Sequence, residues 1–141
     1  MKMWLKRLGL GLAIVLIAIQ FIPLARTNPP ERGKPPAPAE VQAVLQRSCN
    51  DCHSNETRWP WYSYVAPISF LISNDVREGR REVNFSLWGQ YNAQRQARKR
   101  KEIVEQVQSG KMPQWYYVLL HPEAKLSDAD RQTIVNWAQR G

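Results

Sequence analysis

The sequence predicts an all-helical domain joined at its N-terminal side to a single membrane-spanning helix. Three observations lead to this prediction. From residue 39 onward, apolar residues recur at helical spacing and no segment alternates as a strand would. Helix-starting and helix-ending signals bracket these segments. A long uncharged run follows three basic residues near the start of the chain.

The uncharged run covers residues 8–25. As a helix it would extend about 27 Å, close to the roughly 30 Å hydrocarbon core of a bilayer. A cleaved signal peptide has a shorter apolar stretch and small residues at its cleavage site, whereas this run places Pro23 there. We therefore interpret residues 1–26 as a retained membrane anchor, with a signal peptide as the alternative. The basic residues before the run place the rest of the chain outside the cytoplasm.

Residues 27–38 read TNPPERGKPPAP and contain five of the ten prolines. Because proline cannot continue a helix or donate to a strand ladder, the segment is predicted to be a semi-rigid spacer. At about 3.1 Å per residue it would reach about 37 Å, so we expect a stalk between the membrane and the domain. The folded domain is predicted to span residues 39–141.

The first two helices of the domain are predicted from proline starts and apolar spacing. One begins at Ala39, directly after a proline, and runs into Cys49. The next opens at Pro67 and ends near Gly79. Its apolar positions are Ile68, Leu71, Ile72 and Val76.

The last two helices are predicted from their ends. A helix is expected over residues 88–108, because Gly110 is a natural C-terminal cap. Ser127 and Asp130 then give the start signal of a final helix, whose apolar face carries Ile134 and Trp137.

The charge of the chain gives little support to nucleic-acid binding. The net charge is +8, but the part beyond residue 30 carries only about +4. The basic run RQARKRK, residues 95–101, lies in no recognisable nucleic-acid-binding motif. We interpret it as a solvated helix face, which would also suit an acidic partner protein.

Both cysteines of the chain fall within residues 49–53, which read Cys-Asn-Asp-Cys-His. This spacing is the attachment pattern of c-type haem. Thiols three residues apart lie on one face of a helical turn, where each can form a thioether with one vinyl group. The histidine that follows can then ligate the iron. We predict one covalently bound haem c, held by Cys49, Cys52 and His53.

Three other sites would use the same residues. A zinc site would need His121 as a fourth ligand, and the adjacent Cys52 and His53 would have to face one tetrahedral ion. A redox-active dithiol requires a βαβ context, which the pattern lacks. A disulfide suits an exported domain but leaves His53 without a role.

A second axial ligand is predicted at Met112. It lies between Gly110 and Pro113, on a loop rather than in an apolar stripe. His121 is the competing ligand, and an open or water-bound iron is the third option. Histidine with methionine raises the reduction potential and closes the iron to external ligands, which suits electron transfer. Tryptophans are expected to pack around the haem, with Trp59, Trp61, Trp88 and Trp115 as candidates.

The domain resembles the haem-binding-domain family of bacterial c-type cytochromes. The resemblance covers about residues 39–141 and rests on three stretches: CNDCHSNETRWPWYSYVAPISFL, EGRREVNFSLW and GKMPQWYYVLLHPEAKLSDADRQTIVNWA. It implies a cytochrome c-like helical domain with one covalent haem outside the cytoplasm. Cys49 and Cys52 match the thioether cysteines, His53 the proximal ligand and Met112 the Met-Pro position of a distal ligand.

The sequence therefore predicts a membrane-anchored monohaem cytochrome that carries single electrons between redox partner proteins, and it favours an electron carrier over an enzyme. The anchor would lie in a bacterial inner membrane, with the haem domain in the periplasm. The alternative is a haem sensor or peroxidase-like enzyme with an exchangeable sixth ligand. A structural module without haem is the third hypothesis.

Overall fold

A computed structural model describes residues 2–141, and this part of the chain contains seven α-helices, four short 3-10 helices and no strand. The all-α prediction is confirmed. The α-helices are α1 (Lys2–Ala18), α2 (Ala39–Ser48), α3 (Asn50–His53), α4 (Ile68–Glu82), α5 (Ala93–Gln108), α6 (Trp115–Leu120) and α7 (Asp128–Gln139). The 3-10 helices cover Ile19–Phe21, Trp61–Tyr64, Phe85–Gln90 and Pro122–Ala124.

The N-terminal helix is long and apolar enough to cross a membrane. Together α1 and the 3-10 turn after it cover 20 residues, Lys2–Phe21, and none of the span is buried. Its far end is fixed to the domain by a reciprocal pair of hydrogen bonds. The Gln20 amide donates to the Ala66 carbonyl at 3.1 Å, and the Ala66 N–H donates to Gln20 Oε1 at 2.9 Å.

Residues 27–38 form no helix or strand, as their prolines predict, but they do not form the free stalk expected from the sequence. They lie along the domain as a strap. The Arg32 N–H donates to the Ser86 carbonyl at 2.7 Å, and the Trp137 indole donates to the Pro36 carbonyl at 2.9 Å. These bonds occupy backbone groups that a solvated spacer would offer to water. The boundaries at residues 26 and 38 stay predictions.

Two glycines let the strap approach the domain closely. A Cβ on Gly33 would lie 3.2 Å from the Cα of Gly89, and Gly33 has a φ of +106°. The Gly89 N–H donates to the Gly33 carbonyl at 3.1 Å. Side chains at these positions would push the two backbone segments apart.

The core lies where α2, α5 and α7 pack together around Trp88. Trp88 is 1% exposed, and three other rings lie with centroids 5.7–6.3 Å from its own: Phe85, Tyr91 and Trp137. The guanidinium of Arg100 covers the Trp88 and Trp137 rings at 5.3 and 4.8 Å from their centroids. The basic run is therefore not wholly solvated, because Lys99 and Arg100 are buried.

The helices lie where the sequence predicts them, but several of them begin or end at a different residue. The final helix has the capping box predicted at Ser127 and Asp130. The third predicted helix begins at Ala93 rather than at residue 88, because the Asn92 side chain caps α5 by accepting from the Arg95 N–H. The second predicted helix, α4, continues to Glu82 instead of ending near Gly79. The short helix α6 was not predicted.

The inward face of α4 also differs from its predicted apolar stripe. Its buried residues are Ser69, Val76 and Gly79, whereas Ile68 and Leu71 are exposed. Small residues face inward here because α4 lies directly against α3.

Candidate cofactor site

A cavity of about 520 Å³ opens among α2, α3, α4 and α5 and the segment that follows α5. Its volume lies within the range typical of small-molecule and cofactor sites. The structure brings the predicted site residues together on its wall: Cys49, Cys52, His53, Met112 and His121 all line it. Apolar side chains supply most of the remaining surface, among them Leu45, Ile72, Val76, Phe85, Ile103 and Ile134.

The two cysteines are presented by the junction of α2 and α3. Cys49 ends α2, where its N–H donates to the Leu45 carbonyl at 2.8 Å, and it also precedes the first residue of α3. Cys52 follows within the single turn of α3. Both thiols are unpaired. The short helix therefore offers two separate sulfur atoms to one cavity.

The environment of the thiols disfavours the redox-dithiol and zinc interpretations. Burial raises the pKa of Cys49 and of Cys52 to about 12. A redox-active dithiol instead needs a lowered pKa, because the thiolate is the reactive species. Within residues 2–141 no group of three or more His, Cys, Asp or Glu side chains is arranged to hold a metal ion.

His53 is fixed in one orientation by the C-terminal part of α4. Its Nδ1 lies 2.9 Å from the Gly79 carbonyl oxygen and 3.2 Å from that of Val83. Because carbonyls only accept, Nδ1 carries the proton and Nε2 keeps its lone pair. Burial lowers the pKa of His53, although the two carbonyl bonds oppose this shift, so the ring is neutral near pH 7. A neutral imidazole with a free Nε2 is the form that ligates iron.

Close contact between α3 and α4 sets this geometry. A Cβ on Gly79 would lie 2.5 Å from the Cys52 carbonyl oxygen and 3.0 Å from its carbonyl carbon. Only glycine lets the two backbones meet at this point. The sequence indicates Gly79 only as a helix end, and no local signal shows that its carbonyl holds His53.

Met112 reaches the cavity from the turn that ends α5. Gly110 adopts a φ of +69° after the helix, and the N–H groups of Lys111 and Met112 both donate to the Gln106 carbonyl, at 3.1 and 3.3 Å. The turn brings a half-buried thioether to the same cavity as His53. Methionine sulfur is a soft ligand that suits haem iron.

The nitrogens of His121 are both engaged within the protein. Its Nε2 lies 2.5 Å from the Tyr62 hydroxyl, and its Nδ1 lies 3.2 Å from Glu123 Oε1. Its ring stacks on Tyr117 with centroids 4.4 Å apart. Ligation by His121 would require breaking one of these hydrogen bonds, whereas Met112 has no comparable bond to lose.

A polar network that the sequence analysis missed braces the cysteine turn. Asp51 lies between the two cysteines and is 8% exposed. Its carboxylate accepts from the Tyr117 hydroxyl at 2.7 Å and from Arg58 Nε and Nη2 at 3.2 and 3.1 Å. Burial and the bond to Asp51 raise the pKa of Tyr117. No signal in the sequence pairs these residues, because Tyr117 comes from the distant helix α6.

The aromatic residues around the cavity also differ from the expectation. The four tryptophans proposed above do not line it; Tyr62, Phe85 and Tyr117 do. Trp88 belongs to the core instead, and Trp61 and Trp115 are exposed. The cations on the cavity wall are Arg58 and Lys99.

Comparison with known proteins agrees with this arrangement. The sequence model of one family, described as a haem-binding domain, matches residues 14–140. Searches of curated proteins and of solved structures found no match to this chain. An apolar cavity with two neutral thiols, a neutral imidazole and a thioether on its wall fits a haem group. The chain belongs to the haem-binding-domain family.

Proposed function

We propose that this protein is a membrane-anchored, extracytoplasmic monohaem c-type cytochrome that carries single electrons between redox partner proteins. The proposal rests on one observation. A single apolar cavity is lined by Cys49, Cys52 and His53 and also by Met112, which lies far from them in the sequence. When bound, a haem c group supplies an iron centre that changes its charge by one electron. Each of the four side chains has a distinct part in holding such a group.

The two cysteines would form the covalent tether, one thioether each. Cys49 directly precedes α3 and Cys52 lies within its single turn, a spacing that suits attachment at two points of a planar ring. Both thiols are neutral near pH 7 in the folded chain, since burial raises each pKa to about 12. We therefore expect attachment to precede closure of the fold, when the thiols are still accessible.

His53 would serve as the proximal ligand and Met112 as the distal ligand. The Gly79 and Val83 carbonyls hold Nδ1–H and leave Nε2 available. The hydrogen bond to a carbonyl also increases the electron density on the ligating nitrogen. A thioether on the other side would raise the reduction potential and exclude external ligands, as electron transfer requires.

The proposed location of the protein rests on α1. A helix of this length and composition suits a single membrane crossing, with Lys2, Lys6 and Arg7 on the cytoplasmic side. The remainder of the chain would then lie in the periplasm of a bacterium, where redox partner proteins would meet it.

Two spectroscopic measurements test the proposal on the full chain, produced together with the cytochrome c maturation machinery. A pyridine haemochrome spectrum should show one haem per chain that acidified organic solvent does not extract. The ferric protein should show the weak far-red band of methionine–iron ligation, and the ferrous spectrum should stay unchanged under carbon monoxide.

Each failure identifies a different alternative. Extractable haem, or none, would remove the covalent cytochrome from consideration. A covalent haem that binds carbon monoxide at once and lacks the far-red band would instead indicate a sensor or peroxidase-like enzyme with an exchangeable sixth ligand.

A further inference from the structure

An uninterrupted apolar surface lies beside the end of α1. Residues 59–73 contain no charged side chain, although they belong to the folded domain. The 3-10 helix Trp61–Tyr64 and the first turn of α4 present large side chains outward. Their exposed fractions are 77% for Trp61, 59% for Tyr64, 44% for Val65, 46% for Ile68 and 47% for Leu71. We call these five residues the apolar platform.

The platform is attached to the membrane helix, not merely near it in the sequence. Ala66 lies in the middle of the uncharged residues 59–73 and exchanges two hydrogen bonds with Gln20. Gln20 lies in the 3-10 turn that follows α1. The two residues after Gln20, Phe21 and Ile22, are 81% and 50% exposed. The Gln20–Ala66 pair therefore joins the apolar span to the segment that carries the platform.

A cation borders this surface on the side that follows the span. The Arg26 guanidinium lies 4.4 Å from the centroid of the Tyr64 ring and donates to the Ser63 carbonyl at 3.2 Å. Tryptophan and tyrosine are enriched where a membrane meets water, and arginine there interacts with lipid phosphates. Trp61, Tyr64 and Arg26 thus present the residue types of a headgroup region.

We propose that the apolar platform lies in the outer lipid–water interface and seats the domain on the bilayer. This inference rests on the proposed anchoring by α1. That helix would set the depth of Gln20 relative to the bilayer, and Gln20 in turn holds Ala66. A surface of this composition left in water would be unfavourable, because exposed apolar area is transferred favourably from water to an apolar environment. The strap agrees with this arrangement, because residues 27–38 lie on the domain rather than spacing it away.

Seating the domain in this way fixes the distance between the cavity and the bilayer. The helix α4 carries Ile68 of the platform at its start and Val76 of the cavity wall further along. Eight residues of helix separate them, which corresponds to about 12 Å. The cofactor site would therefore be held near the lipid surface.

Nitroxide labels on single introduced cysteines test the proposal on the full chain in lipid nanodiscs. The test positions are Ile68→Cys and Leu71→Cys, both exposed, and the matched control is Gln132→Cys on the outer face of α7. Cys49 and Cys52 are half-buried, so the full chain without an introduced cysteine is treated with the label in parallel and its signal is subtracted. Collisions are measured with oxygen, which enters lipid, and with a water-soluble nickel chelate.

We expect labels at residues 68 and 71 to collide several-fold more with oxygen than with the nickel chelate, and the label at 132 to show the reverse. Free access of the chelate at 68 and 71 would place the platform in water and overturn the proposal. Protection from both reagents would also overturn it, because the platform would then be covered by protein.

A label at Leu12→Cys, within α1, separates failure of this inference from failure of the anchor. If the label at residue 12 reports lipid while those at 68 and 71 report water, the anchor stands and the platform proposal fails. If the label at residue 12 also reports water, α1 does not span the membrane and both proposals fail.

Discussion

The Nδ1 atom of His53 lies 2.9 Å from the carbonyl oxygen of Gly79, at the place where the backbones of α3 and α4 touch. One residue of α4 therefore sets both the distance between the two helices and the tautomer of the imidazole. This coupling makes Gly79 the most sensitive glycine of the site.

Gly79→Ala is expected to destabilise the fold by about 2 kcal/mol or more and to reduce haem incorporation. The added Cβ would meet Cys52 backbone atoms at 2.5–3.0 Å, and backbone cannot rotate out of the way. Guanidinium unfolding of the full chain in detergent measures the first effect, and the pyridine haemochrome yield measures the second. The control is Gly11→Ala, where an added Cβ meets nothing within 4 Å. Equal behaviour of the two variants would show that α3 and α4 separate without cost.

Met112→Ala is expected to abolish the low-spin ferric spectrum and its far-red band, whereas His121→Ala should leave both in place. Met112 is free to turn toward an iron ligated by His53, but His121 holds Tyr62 and Glu123 with its two nitrogens. Absorption spectra of both variants, with and without added imidazole, provide the measurement. If only His121→Ala loses the low-spin spectrum, the distal ligand has been assigned to the wrong residue.

Tyr117→Phe is expected to lower the free energy of unfolding by about 1.5–3 kcal/mol, because Asp51 loses a hydrogen bond in a mostly buried setting. Thermal and denaturant unfolding of the holoprotein measure the loss. The same change at Tyr64, whose ring is exposed, should alter stability by less than about 0.5 kcal/mol. Indistinguishable values for the two variants would mean that the Asp51 network does not brace the cysteine turn.

Asp130→Asn is expected to cost about 1–2 kcal/mol at pH 7 and clearly less near pH 2. Burial alone would raise the pKa of Asp130, but the N–H and hydroxyl of Ser127 and the Arg47 guanidinium outweigh it and hold the pKa below its usual value. A lowered carboxyl pKa stabilises the fold above the unfolded-state pKa of about 3.9, and this contribution disappears as the pH falls through the folded-state pKa.

Denaturant unfolding at pH 7 and at pH 2 compares Asp130→Asn with the parent chain. Asp128→Asn, in the same first turn but outside the capping box, is the control and should show only the smaller effect of the helix dipole. A cost for Asp130→Asn that is the same at both pH values would contradict an ionised capping carboxylate.

Local signals in the sequence predicted the parts of the fold that depend on neighbouring residues. The Ser127 capping box, the turn at Gly110 and the Cys-x-x-Cys-His helix are all set within a few positions. Long-range contacts were not predictable in this way. The bond between Tyr117 and Asp51 spans 66 positions, and the contact between Gly79 and Cys52 depends on how two helices cross.

The strap is a second case in which long-range contacts were not predictable from the sequence. Its prolines correctly exclude a helix and a strand here, since that exclusion is a local property. Whether an extended segment stands in water or lies on a surface depends on its partners. Here these are Ser86, Gly89 and Trp137, none of which is near it in the sequence.

The contact between the strap and α7 also determines where the chain can be cut. A fragment that begins at residue 39, where the first domain helix starts, would expose the Trp137 indole and the Ser86 carbonyl, which residues 36 and 32 now satisfy. A fragment that begins at residue 27 would keep both partners. We therefore expect a fragment from residue 27 to be more stable than one from residue 39, so a protease that removes the anchor would leave the more intact domain by cutting ahead of the prolines.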